Sequence, residues 1–431
     1  MSSRSLEGNV LPRLLLGVDD RQPARLESHL KLHGPLPDLR RYAPTQLIEQ
    51  IDAAGLRGRG GAAFPVARKL RSVASRRGRK VLLANGAEGE PASKKDRVLL
   101  RELPHLVLDG MAVAARAADV SGAVLAVPET DERSIHSLER AIDERRRAGL
   151  RGEPGISLVL TPKRYIAGQE TALINFVNTG VAAPTFGARP FERGVDGRPT
   201  LVQNAETLAH LALIARHGPA WFRQLGPADD PGSALITVSG AVRAPGVYEI
   251  EHGTPLSDVL ASAGADAGTR AVLVGGYFGG WIDARYVPRV LLERESLSSF
   301  GTTLGAGVIA VLGEGGCGVA ETARVADYFA AEGAGQCGPC VYGLAAIADT
   351  VQRLASGTAP ARARADVERW CGELPGRGAC AHPDGAVRFV ASALRTFSDE
   401  FEDHAAHGPC HRCASSAVLP TPVSQPPAIA A

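Results

Sequence analysis

The sequence predicts an α/β domain, then a β-grasp insert, then a C-terminal helical bundle. Three observations carry this reading. Strand and helix patterns alternate from Pro44 to about residue 230, which implies a largely parallel sheet with covering helices. Short β runs around a Pro-Gly turn follow, over residues 231–315. From Glu321 to Phe401 the apolar spacing is helical again, and all seven cysteines fall at or beyond Cys317.

Length and composition agree with several domains. At 431 residues the chain is too long for one core, and about two to four domains are expected. Apolar residues make up 45% and charged residues 22%, as in ordinary globular proteins. A net charge of +2 offers no argument for nucleic acid or an anionic membrane. No apolar run reaches the length of a membrane span, so direct membrane insertion is not expected. The start, MSSRSLEGNVLPRLLLGVDD, has only a short apolar patch, Leu11 to Leu16, broken by Pro12 and Arg13. That is no secretion signal, and a cytoplasmic location is expected.

Residues 1–40 read as an arm with little pattern. The next segment, 41–230, begins with a helix (PTQLIEQIDAAGL), a glycine-rich loop (RGRGGAAF) and a second helix (PVARKLRSVASRR). A strand (KVLLAN) leads into the loop GAEGEPASKKDR. A long apolar helix, the strand GAVLAVPE and a polar amphipathic helix follow. The strand ISLVLTPKRYI then runs into AGQETALINFVNTG, which has helical spacing. Ligands of such sheets bind at the carboxyl ends of the strands. Residues 231–315 hold the β-grasp unit, with the helix TPLSDVLASAG between its strands. Residues 316–405 form the bundle. The tail, 406–431, is rich in Cys and His, then in Pro and Ala, and its last part is expected to be disordered.

Two loops carry candidate chemistry. Gly55, Gly58, Gly60 and Gly61 cluster just before a helix, where backbone N–H groups and the helix dipole can meet a phosphate. Read as GxGxxA the loop imitates a dinucleotide fingerprint, yet it follows a helix rather than a strand, and a flexible connector is the alternative. The second loop sets Asn85, Glu88 and Glu90 beside Lys94, Lys95 and Arg97 at a strand end. It offers donors and acceptors for a heterocycle and its phosphate, or is a solvated turn.

GLRGRGGAAFPVARK, NGAEGEPASKKDR, YIAGQETAL and GRPTLVQNAETL occur in the order of one family. Over residues 45–405 the chain resembles the FMN-containing, NADH-oxidising flavoprotein subunit of respiratory complex I, whose relatives serve NAD-linked hydrogenases and formate dehydrogenases. The resemblance implies an α/β flavin-binding domain, a β-grasp insert of the soluble-ligand-binding type and a helical iron–sulfur bundle. It implies that Gly58, Arg59, Gly60, Gly61 and Lys69 hold the FMN, with Asn85 and Asn204 contacting it. It places Glu170 beside the flavin as the catalytic carboxylate and Phe64 against an adenine. Ala87, Lys94, Gln169 and Leu70 replace the family's Asp, aromatic, Glu and Trp. Those departures leave NADH as the substrate open.

The cysteines divide into groups. GQCGPCVYG can hold zinc, exchange disulfides or bind part of an iron–sulfur cluster. Disulfide exchange ranks below the cluster, because no strand precedes the pair. The resemblance implies a [4Fe–4S] cluster on Cys337, Cys340 and Cys380, with Ala334 where the family has its first ligand. A non-cysteine fourth ligand, a [3Fe–4S] cluster, or substitution by Cys371 or Cys317 all remain open. HAAHGPCHRC adds His404, His407, Cys410, His411 and Cys413, which suit zinc or form an incidental tail.

Two functions follow. One is an electron-transfer subunit that passes electrons between NAD(P)H or a partner and a ferredoxin-like or small iron–sulfur protein, within a larger redox complex. The other is a non-catalytic scaffold or assembly protein with a degenerate nucleotide site.

Overall fold

Four parallel strands build the first sheet of the computed structural model, which describes residues 3–5, 11–19, 22–150 and 152–422. They are β2 (Val81–Asn85), β3 (Gly122–Pro128), β4 (Gly155–Thr161) and β5 (Thr200–Asn204), in the order β4-β3-β2-β5. β2 is interior to the sheet, and from Val81 to Ala84 it is apolar and buried, as a strand covered on both faces must be. Leu82, Ala84, Leu125 and Leu201 pack on the larger helical layer. Val81, Leu83, Ala126 and Val202 meet Leu173 and Ile174 of the helix Glu170–Thr179 on the other side. In the larger layer the helix Pro104–Ala118 crosses the helix Ala205–His217 closely. A Cβ at Gly110 would lie 1.8 Å from the Leu208 carbonyl oxygen, so only glycine permits that crossing.

The strand order reverses beside β2. β3 and β4 extend the sheet on one side, whereas β5 lies on the other, with Asn85 directly opposite Asn204. A crevice outside the carboxyl ends of β2 and β5 is therefore the place a doubly wound sheet offers to a ligand.

The second sheet has the order β1-β7-β6-β10-β8-β9. Its members are β1 (Ser3–Ser5), β6 (Ser233–Gly240), β7 (Gly246–Glu251), β8 (Ala271–Val274), β9 (Gly280–Asp283) and β10 (Val308–Leu312). One face packs on its own helix, Leu256–Ala263, through Ile236, Val238 and Ile309. Leu273, Ala310 and Trp281 face the bundle formed by the helices Gly318–Glu332, Leu344–Ser356, Ala363–Glu373, His382–Thr396 and Ser398–His407. The β-grasp unit thus lies between its own helix and the bundle.

Both chain ends contribute more than their sequences suggest. β1 pairs in parallel with β7. Farther along the arm, the backbone N–H groups of Arg13, Leu14 and Leu15 all donate to the buried Glu249 carboxylate, at 2.8, 2.8 and 3.1 Å. The tail, expected to be disordered, is docked as far as it is described. Leu419 is fully buried, and the N–H groups of Val418 and Leu419 donate to Glu321 at 2.8 and 3.2 Å. A composition rich in Pro and Ala hides this, because one leucine and one buried carboxylate anchor the segment. Residues 423–431 lie outside the described residues.

Asp109 is a buried charge centre of the α/β layer. It pairs with His29 at 2.7 Å, with Arg145 at 2.6 Å and with Arg216. Burial disfavours its ionisation, but His29 and the two arginines outweigh that and hold it well below the usual carboxylate range. Among the described residues no helix is long and apolar enough to cross a membrane.

Candidate functional site

The glycine-rich loop is closed on itself and fastened to the helix that follows β5. Gly58 N–H donates to the Phe64 carbonyl at 2.9 Å, and Arg59 N–H donates to Thr207 Oγ1 at 2.9 Å. A Cβ at Gly60 would come within 3.3 Å of the Asn204 Cβ, so the loop lies directly on the residue that ends β5. The Arg59 side chain, expected near a phosphate, turns inward instead. It is buried, donates to the Ser233 carbonyl at 3.0 Å and approaches Glu206 at 3.9 Å. It ties the loop to β6, leaving only its backbone to the crevice side.

Lys69 extends from the helix Val66–Ala74 to Glu170, with 2.6 Å between Nζ and a carboxylate oxygen. Both side chains are half-buried. Glu170 opens the helix Glu170–Thr179, whose N-terminus Gln169 caps by accepting from Ala172 N–H at 2.8 Å. The departure from the family's Glu at 169 therefore has a structural role here. Phe64 is exposed, with the Arg68 guanidinium 5.6 Å from its ring centre.

Asn85 and Asn204 are both committed to the surrounding loops. The Asn85 amide donates to the Gly168 carbonyl at 2.8 Å and accepts from Ala87 N–H at 3.1 Å. It thereby holds the segment that leads to Glu170 against the end of β2. Asn204 caps the helix Ala205–His217, accepting from Glu206 N–H at 3.0 Å, and donates to Asp96 at 2.7 Å. Asp96 and Glu206 in turn share the buried Lys95 ammonium, at 2.9 and 2.8 Å. Sequence reasoning passes over Glu206 and gives Lys95 and Asp96 no specific role. A buried Lys flanked by carboxylates that are distant in sequence has no local signature.

Glu88 and Glu90 belong to the loop's interior. Glu88 accepts from Ser93 Oγ at 2.6 Å and from Asp96 N–H at 3.1 Å, while burial and the neighbouring Asp96 push its pKa up. Glu90 accepts from Tyr277 N–H of the β-grasp unit at 2.8 Å and from Tyr165 Oη at 3.3 Å. Burial pushes it up to about 7. It is a junction between domains.

Glycine loop, Lys69, Glu170, Asn85 and Asn204 thus converge at the reversal of strand order. One cation, one carboxylate, two fixed amides and a loop pressed onto Asn204 fit a flavin mononucleotide. A cavity of about 250 Å³ lies where the loop meets the β-grasp unit, lined by Gly58, Arg59 and Gly61 of the loop, by Lys95 and Glu206, and by Arg294 of the β-grasp unit. Asn85, Asn204, Lys69 and Glu170 do not line it.

In the bundle, Cys340 lies in a π-helical turn, Pro339–Gly343, that continues into the helix Leu344–Ser356. Burial, with Cys337 and Cys380 nearby, raises the Cys340 thiol to about 12, whereas the Ala334 backbone N–H favours its thiolate. The three thiols thus lie close enough to act on one another, with the Ala334 backbone at Cys340, and they fit a cluster held by three cysteines. Cys371 interacts instead with Glu368 and Arg395, and Cys317 lies 3.5 Å from Cys413. Neither stands in for Ala334.

The sequence profile described as the Nuo51 FMN-binding domain matches residues 51–213. That of the NADH-ubiquinone oxidoreductase-F iron-sulfur binding region matches 320–404, and that of the SLBB domain matches 235–265. The F subunit of NADH-quinone oxidoreductase from Escherichia coli K12 is 32% identical over 404 residues, covering 89% of this chain and 90% of that protein. The F 2 subunit of the Rhizobium meliloti enzyme is 32% identical over 381 residues, covering 84% and 89%. Among solved structures, an air-oxidised NAD+-reducing [NiFe]-hydrogenase superposes with a TM-score of 0.82 at 30% identity, over 91% of this chain and 67% of that chain.

Proposed function

The chain belongs to the family of the F subunits of NADH-quinone oxidoreductase, and on that premise we propose that it oxidises NADH with FMN and passes the electrons to an iron–sulfur cluster. The observation that carries this reading is the meeting of the glycine loop, Lys69, Glu170, Asn85 and Asn204 at the reversal of strand order. Bound FMN exchanges electron pairs for single electrons, and an iron–sulfur cluster carries the latter.

The chain's own groups bind and orient. Lys69 is the cation for the FMN, and Gly60 allows the loop to approach Asn204 closely. Asn85 keeps Gly168, and hence the start of the Glu170 helix, against β2. The Lys95–Asp96–Glu206 network fixes Asn204 from behind. Phe64, exposed at the loop's edge, offers a face to an adenine ring. Cys337, Cys340 and Cys380 hold the cluster, a [4Fe–4S] whose fourth iron takes a non-cysteine ligand. The physiological acceptor is a ferredoxin-like iron–sulfur protein within a larger redox complex. The scaffold alternative leaves the three grouped thiols without a role.

The test is a visible spectrum of anaerobically purified protein before and after NADH. Flavin bands on an iron–sulfur shoulder that bleach with NADH are expected, with flavin content reduced in Lys69→Ala. Bleaching by dithionite alone would remove NADH as donor. A protein that stays colourless after reconstitution with FMN, iron and sulfide would overturn the proposal.

A further inference from the structure

Four side chains far from the flavin crevice meet at one point. Cys317 is the N-cap of the helix Gly318–Glu332, and His404 lies near the end of the helix Ser398–His407. Cys410 opens the short turn His411–Ala414 that follows, and Cys413 lies within it. Their Sγ atoms and the His404 Nε2 all lie within 4.8 Å of one another. Cys413 Sγ is 3.5 Å from Cys317 Sγ, 3.7 Å from Cys410 Sγ and 3.7 Å from His404 Nε2, and Cys317 Sγ is 3.6 Å from that nitrogen.

Those separations are the edges of one coordination tetrahedron. Zinc with bonds of about 2.3 Å to sulfur and about 2.05 Å to nitrogen spaces its ligands about 3.8 Å (S to S) and about 3.6 Å (S to N) apart. A cubane cluster would put each thiolate on a different iron, too far apart for this spacing. A disulfide would bring two sulfurs much closer, and all of these cysteines are free.

The surroundings are those of a built site. Cys317 and His404 are almost completely buried. His404 Nδ1 donates to the Leu354 carbonyl at 3.3 Å, which makes Nε2 the unprotonated nitrogen; it accepts from Cys410 N–H at 3.4 Å and faces the sulfurs as a metal ligand would. Ala320 N–H donates to Cys317 Sγ at 3.4 Å, at the positive end of a fifteen-residue helix. The iron–sulfur-region match ends at residue 404, so Cys410 and Cys413 lie beyond it.

We propose that Cys317, His404, Cys410 and Cys413 bind one structural zinc ion. Binding releases the three thiol protons, so Zn²⁺, three thiolates and a neutral imidazole together carry one negative charge. Four protein ligands close the coordination sphere, which suits a structural ion and leaves no position for substrate. The ion clips the docked tail to the start of the helix whose far end leads into Ala334, Cys337 and Cys340.

Elemental analysis of the full-length chain tests this directly. One zinc per chain is expected in addition to the cluster iron. In Cys413→Ser the zinc should fall by more than about tenfold with iron and flavin content unchanged, whereas Cys371→Ser, outside both thiol groups, should keep it. If Cys413→Ser does not fold, cobalt-substituted wild type decides instead. Tetrahedral cobalt bands with a thiolate charge-transfer feature support the site. Zinc-free wild type, zinc retained in Cys413→Ser, loss of iron rather than zinc in that variant, or a Cys410–Cys413 disulfide in the native protein would each overturn it.

Discussion

Replacing Glu90 by Gln should stabilise the chain at slightly alkaline pH and change it little in mild acid. The carboxyl is buried where the α/β domain, the β-grasp unit and the bundle meet, and it accepts from Tyr277 N–H and Tyr165 Oη. Burial raises its pKa from 4.5 to about 7, so the folded chain holds a proton that the unfolded chain has already released. Stability is therefore full below the unfolded value and is lost as pH rises through the folded one. At about 1.4 kcal/mol per unit the whole gap is about 3.5 kcal/mol, of which about 2.5 kcal/mol falls between roughly pH 5 and pH 8. Gln keeps an acceptor for Tyr277 N–H and has no charge to lose. Urea midpoints followed by circular dichroism at the two pH values, for wild type and Glu90→Gln, give the measurement. Wild type should lose about 2.5 kcal/mol more than the variant across that interval. Parallel losses would refute the reasoning, because the carboxyl would then titrate alike in both states.

Other outcomes follow from the same geometry. Asp109→Asn should cost about 3–5 kcal/mol at neutral pH, read as a lower denaturation midpoint, since it strands Arg145 and Arg216 without their carboxylate. Its folded pKa is depressed, so this difference should shrink as pH falls through and below the ordinary carboxylate value of 3.8. Gly60→Val should lower FMN retention on gel filtration while the far-ultraviolet circular dichroism is kept, because the added carbons must displace Asn204. Ala334→Cys should complete a four-thiolate set beside Cys340 and change the electron paramagnetic resonance signal of the reduced cluster, with iron content not reduced.

Much of the fold is legible in the sequence because its signals are local. β2 reads as a buried strand and Pro44–Ala54 as a helix from their own residues. The strand β5 and the helix after it are recognisable only as a motif around Asn204, and their place beside β2 depends on a pairing across more than a hundred residues. The glycine loop, Lys69 and Glu170 stand out as a set, and they do meet in space. Arg59 does not join them, because a side chain's direction depends on β6, which no local pattern connects to residue 59. Cys317 reads as a small buried residue or a spare cluster ligand. Its partners come from the end of the bundle and from a tail whose composition suggests disorder.

The clasp between residues 13–15 and Glu249 has a consequence for synthesis. These partners lie 236, 235 and 234 residues apart, so the three N–H groups leave the ribosome long before their acceptor exists. At about 5–20 residues per second the arm waits roughly 12–50 s for it. During that interval the three N–H groups lack their acceptor, although most of the α/β core that Leu14 and Leu15 join is already made. A chain started beyond the arm would bury the Glu249 carboxylate with Ser233 alone of its present donors, and should aggregate as β7 emerges rather than fold as a shortened domain.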